Sequence, residues 1–142
     1  MAGSSERVPD LLRQSGLRCT LQRASVLRVL VRAGRPMSHG QLTEKLGAGE
    51  IDRVTLYRTL TALQDAGLVH RVQGKDAVWH FCAHSPDATG CPGNHPHFLC
   101  TRCGGMRCLS DQPLPWVAIG KGEKVTGKQL VVYGRCSACD AA

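Results

Sequence analysis

Aromatic residues make up only 4% of this 142-residue chain, so any core must rest on Leu, Val and Ala. No apolar run approaches the roughly 20 residues that a membrane-spanning helix needs. The polar start MAGSSERVPD lacks the apolar segment of a secretory signal. These two absences lead us to expect a cytoplasmic protein with no membrane partner. No HExxH, no HxE followed by PCxxC and no Ser/His/Asp pattern is present, which argues against an enzyme and against a small-molecule substrate. Acidic residues are also scarce: 11 Asp and Glu stand against 18 Lys and Arg, a net charge of +7. The imbalance is greatest early on, with 12 basic and 7 acidic residues in 1–83 against 6 and 4 in the remainder. A basic balance favours nucleic acid or an anionic surface as partner.

What the chain does have is sulfur. Eight cysteines in a cytoplasmic protein point to metal or redox chemistry more than to a disulfide framework. Cys100-x2-Cys103 and Cys136-x2-Cys139 can each present two thiolates to one ion, and four thiolates satisfy tetrahedral zinc. The alternative, a pair of redox dithiols, finds no thioredoxin-like βαβ context. The C-terminal part carries too little apolar material to fold unaided, so zinc there would be structural and would contribute folding energy directly.

The first 70 residues read as helices with clear stops. One covers about 5–15 and ends at Gly16. The next, LQRASVLRVLVRA, takes Thr20 as its N-cap; HGQLTEKL takes Ser38 and RVTLYRTLTALQDA takes Asp52. Gly67 stops the last. LVHRV and AVWHFC then read as strands around a turn at Gln73-Gly74-Lys75. Helices followed by a β-hairpin give the winged helix-turn-helix order, with residues 53–66 where a recognition helix belongs. Residues 84–94 are rich in Pro, Gly and Ser and read as a linker. Past it, HFLC and GMRCLS read as strands, LPWVAIG (114–120) as a short helix and KQLVVYGRC as a final strand. The expected fold is α+β: a winged-helix DNA-binding domain over 1–83, a hinge over 84–94, and a small α/β domain with a four-cysteine zinc site over 95–142.

A second set of donors is left over. His95 and His97 are two apart on an extended segment, so both point to one face. His80 and Cys82 alternate likewise on the second wing strand, and a hairpin brings His70 beside them. Cys108 lies on the strand that returns toward His97. His70, Cys82, His95 and His97 are therefore candidate ligands between the two units, with His80 and Cys108 as further candidates. Mixed imidazole and thiolate suit zinc better than iron or manganese. His39 and His84 read as ordinary surface histidines, Cys91 as a loop residue and Cys19 as a small buried hydrophobe.

GLRCTLQR (16–23), VTLYRTL (54–60), DAGLV (65–69), HPHFLCTRCG (95–104) and YGRCSAC (133–139) together resemble the Fur family of metal-dependent bacterial transcription regulators. The resemblance spans about Leu11 to Cys139. It implies a homodimer built on a C-terminal dimerisation domain, a double-stranded DNA operator of palindromic form, repression, and a regulatory metal at the hinge beside the structural zinc. The zinc-responsive branch (Zur) fits best, because its usual ligand positions fall on His70, Cys82, His95 and His97. The iron- and peroxide-responsive branches usually have carboxylates where this chain has His80 and Cys108. A recognition helix over 53–66 makes Arg58 and Tyr57 candidate base contacts, and Thr55 and Arg53 candidate phosphate contacts. Arg18 matches the family's basic residue that enters the minor groove. The alternatives are an iron, manganese or peroxide sensor, and a zinc-binding module without DNA contact.

Overall fold

A computed structural model describes residues 7–47, 49–83 and 95–141. The expected linker 84–94, with His84 and Cys91, lies outside the described residues, as does the start of the expected first helix. Helix α1 runs Val8–Gln14 and buries Val8 and Leu12 completely. Gly16 stops it at φ +79°, a left-handed conformation that lets the Leu17 amide donate back to the Leu12 carbonyl at 2.9 Å. Helix α2 spans Leu21–Ala33 and is capped by the Thr20 hydroxyl, which accepts from the Arg23 amide at 3.2 Å. Strand β1, Met37–Ser38, leads into α3, His39–Leu46. A reciprocal capping box between Ser38 and Gln41 starts that helix. Helix α4, Arg53–Asp65, is capped by Asp52, whose carboxylate accepts from the Thr55 amide at 2.8 Å.

The apolar spacing on these helices converges on one core: Leu12, Leu27, Leu30, Leu42, Leu56, Leu60 and Leu63 are all fully buried. Strands β2 (Val69–Gln73) and β3 (Trp79–Ala83) form the wing, paired antiparallel from Val69↔Ala83 to Gln73↔Trp79. The turn between them is longer than Gln73-Gly74-Lys75. A 3-10 turn at Lys75–Ala77 intervenes, and Asp76 and Ala77 both take positive φ. β1 adds to the other edge of β3, a strand too short to announce itself by alternation. Helices α2, α3 and α4, preceded by α1, and the winged sheet make a winged helix-turn-helix.

The second sheet has the order β5-β4-β6, with β4 His97–Cys100, β5 Met106–Cys108 and β6 Val131–Gly134. β4 and β5 are antiparallel; β4 and β6 are parallel. A parallel pair needs a crossover, usually a helix. Here residues 109–130 make that crossover without one, so the helix expected over 114–120 does not form. Pro113 and Pro115 disfavour a helix there, and Trp116, Val117 and Ile119 stay exposed, Trp116 being 87% exposed. The final helix, α5, is a single turn at Ser137–Asp140.

The two sheets meet. Val72 of the wing packs with Leu99, Met106 and Val131 of the second sheet. The Gln129 side chain extends β2 by accepting from the Gln73 amide at 2.9 Å and donating to its carbonyl at 2.7 Å. Among the described residues, no helix is long and apolar enough to cross a membrane.

Candidate metal centres and DNA-facing helix

Cys100 ends β4, Cys103 sits in the tight turn after it, Cys136 is the N-cap of α5 and Cys139 lies on that helix. The parallel register Cys100↔Gly134 brings the two CxxC turns together, and the four sulfurs lie within 4.8 Å of one another. Cys103 Sγ and Cys136 Sγ are 3.9 Å apart, close to the edge of about 3.8 Å that a tetrahedron with Zn–S of about 2.3 Å requires. Cys100 Sγ accepts from the amides of Cys103 at 3.5 Å and Cys136 at 3.3 Å. Those amides hold its thiol down at about 6 against an ordinary 9.0. Cys139 is pushed up to about 12 by its hydrogen bond to Cys136 and by burial. One thiolate is thus ready at neutral pH, and Cys139 would lose its proton to an incoming cation. The soft donors, their number and their spacing fit zinc.

The second cluster is His95, His97 and Cys108, whose ligand atoms also lie within 4.8 Å of one another. His97 and Cys108 stand opposite each other on β4 and β5, and the His95 and His97 rings are 4.6 Å apart. Both histidines are buried. The His70 ring, on β2, lies 6.1 Å from that of His97, at the edge of this cluster. Cys82 is buried opposite His70 in the hairpin register, outside the three-ligand group. His80 turns back onto the wing instead: its Nδ1 lies 3.3 Å from the Val78 carbonyl, and a Cβ on Gly74 would come within 3.0 Å of its ring. Burial lowers its pKa, and the His97 charge lowers it further. Among the described residues, neither cluster contains a carboxylate.

Helix α4 presents Arg53, Val54, Tyr57 and Arg58 to solvent while Leu56, Leu60 and Leu63 face the core. Thr55 is half-buried, and its hydroxyl donates to the Asp52 carboxylate at 2.6 Å. That bond, with the Thr55 amide, holds the Asp52 carboxyl below its usual 3.8. Arg18 is exposed just before α2, and its carbonyl accepts from the Arg23 guanidinium at 2.9 Å. Tyr57 stacks on His39, with ring centroids 4.7 Å apart. His39 is therefore half-buried against α4 rather than an ordinary surface histidine. Cys19 packs against the helical core. Val54, 58% exposed, is a DNA-facing candidate that apolar spacing alone assigns to neither face.

A winged helix joined to two clusters of cysteine and histidine defines a metal-binding regulator of transcription. The Ferric uptake regulator family model matches residues 14–119, and the chain belongs to that family. A ferric uptake regulation protein of Shigella flexneri is 30% identical over 91% of this chain and 88% of its own. The ferric uptake regulator of Vibrio cholerae, 25% identical, superposes with a TM-score of 0.63 over 90% of this chain and 98% of its own. Holo XcZur, also 25% identical, gives 0.63 over 100% of both chains. A zinc uptake regulator complexed with zinc and DNA shares the fold, with a TM-score of 0.67 at 22% identity over 99% of this chain and 95% of its own. The chain is thus a metal-dependent regulator and not an enzyme.

Proposed function

We propose that the protein is a zinc-sensing transcriptional repressor that binds a palindromic operator as a homodimer in the cytoplasm. The observation that carries zinc over iron is the donor set: His95, His97 and Cys108 converge with no carboxylate among the described residues. Thiolate with imidazole suits zinc, whereas iron and manganese sites favour hard oxygen. His70 approaches this cluster from the wing, with Cys82 opposite His70 in the hairpin register, so the site reaches from the C-terminal sheet toward the DNA-binding unit. Zinc bound there would supply a charge-neutralising link across the hinge. The chain's own contribution is to bury the donors and hold the wing against β4 through Val72. Cys100, Cys103, Cys136 and Cys139 hold the structural zinc.

Arg58 and Tyr57 read base edges, Arg53 and Thr55 meet phosphates, and Arg18 enters the minor groove. A two-fold dimer then sets the spacing of the half-sites. Coupling is reciprocal: operator DNA tightens metal binding by the same factor as metal tightens DNA binding, of order 5–150-fold in typical cases. A second reading, iron sensing, is supported by the ferric uptake regulation proteins among the relatives.

The test is a titration of the purified protein, its thiol site loaded, with buffered free Zn2+, Fe2+ or Mn2+. Anisotropy of a labelled fragment from its own upstream region is the readout. Binding switched on by low free zinc and lost in His95→Ala supports the proposal. Activation only by Fe2+ or Mn2+ selects the second reading, and no response to any metal removes sensing altogether.

A further inference from the structure

The Gly104 carbonyl, one residue past Cys103, is addressed from the DNA-binding unit. Gln41 Nε2 donates to it at 3.3 Å across 63 residues of sequence. The same side chain, through Oε1, accepts from the Ser38 amide at 2.9 Å and so closes the capping box of α3. A cleft of about 220 Å3, lined by Ser38, Gln41, His80, Cys100 and Gly104, separates the two units here, and the Gln41 amide spans it. On the far side, the Gly104 amide donates to the Cys100 carbonyl at 3.0 Å, and the Cys100 amide donates to Gly105 at 2.9 Å. One amide side chain therefore touches both the start of α3 and the turn that carries two of the four thiols.

We propose that Gln41 is a positioning residue that ties the Cys100–Cys103 turn to helix α3, so that ordering of the four thiols also orders α3, whose His39 stacks on Tyr57 of α4. The thiol site would then act on the DNA-binding unit directly, and not only on the sheet it staples. The coupling to metal rests on the four cysteines being a zinc site; the tie itself does not. Glu at this position keeps the capping box, because its carboxylate still accepts from Ser38, but it has no N–H for Gly104.

The experiment is hydrogen exchange on the full chain, zinc-loaded and metal-free, for wild type, Gln41→Glu and Gln41→Ala, with circular dichroism to confirm folding. In wild type, removing zinc should speed exchange of the α3 amides by roughly 2- to 10-fold, the scale of one neutral hydrogen bond. In Gln41→Glu that response should vanish while residues 101–105 still respond. Equal α3 responses in the two proteins, or none in wild type, would overturn the coupling. In zinc-loaded protein, Gln41→Glu should by itself speed exchange of 101–105; unchanged exchange there would overturn the tie. Failure of zinc to protect the cysteine turns in any variant would instead overturn the zinc assignment.

Discussion

His97 on β4 stands directly opposite Cys108 on β5, and the two share a ligand cluster with His95. In an antiparallel pair, opposed residues project to the same side of the sheet, so the register alone puts a thiol beside the HxH pair. Replacing Cys108 by Ala should lower zinc affinity at this site by more than the roughly 10- to 100-fold that loss of an outer partner costs. Cys82→Ser should cost less. Competition with a chelating dye measures both, and the reverse ranking would move the sensing ligand to the wing.

Zinc binding at the four thiols must release protons, since Cys139 is held at about 12 while Cys100 is already near 6. Affinity should therefore rise with pH through the neutral range and fall away as Cys100 protonates near 6. Calorimetry in buffers of different ionisation enthalpy counts the protons released. A pH-independent affinity between 6 and 8 would contradict a thiolate site.

Zinc removal should unfold the C-terminal sheet before the helices. Among the described residues, its shared core holds Val72, Leu99, Met106 and the partly buried Val131, against fifteen buried residues around α1–α4. Chelation should disorder β4–β6 and leave helical circular dichroism largely intact. A single cooperative loss of both would show that the helical unit depends on the metal as well.

Arg58→Ala should weaken specific operator binding by about 1–3 kcal/mol and relax preference at one base pair. Arg53→Ala should weaken binding uniformly and reduce the salt slope by about 1. Salt-dependent anisotropy on matched and mutated operators separates the two, and an unchanged base preference in Arg58→Ala would remove its reading role.

The His39 ring holds Tyr57 by stacking, an arrangement worth about 0.5–1.5 kcal/mol beyond area burial. His39→Ala should blunt operator discrimination, and His39→Phe should restore it, with metal affinity unchanged in both. Discrimination equal to wild type in His39→Ala would mean that Tyr57 is positioned by its own helix.

The helices were legible because each carries its own start signal. Thr20, Ser38 and Asp52 all cap as their side-chain chemistry requires, whatever the rest of the chain does. The four thiols were legible because a CxxC turn is local. Cys108 was a weaker candidate than Cys82 in sequence, since nothing in MRC reveals which residue it opposes; the β4–β5 register decides that. The expected helix over 114–120 failed for the complementary reason: an apolar stretch shows that burial is wanted, but not whether a surface exists to bury it against.

Local chemistry in the sequence thus determined the winged-helix order, the capped helices and the paired CxxC turns. Only the tertiary structure decided the rest: that β6 runs parallel to β4 and closes the four thiols, that His70 nears His97 from another sheet, and that Gln41 reaches Gly104. Caps and turns are set within a few residues by hydrogen bonds the chain makes with itself. Contacts between residues tens of positions apart depend on how whole sheets pack, and no local pattern carries that information.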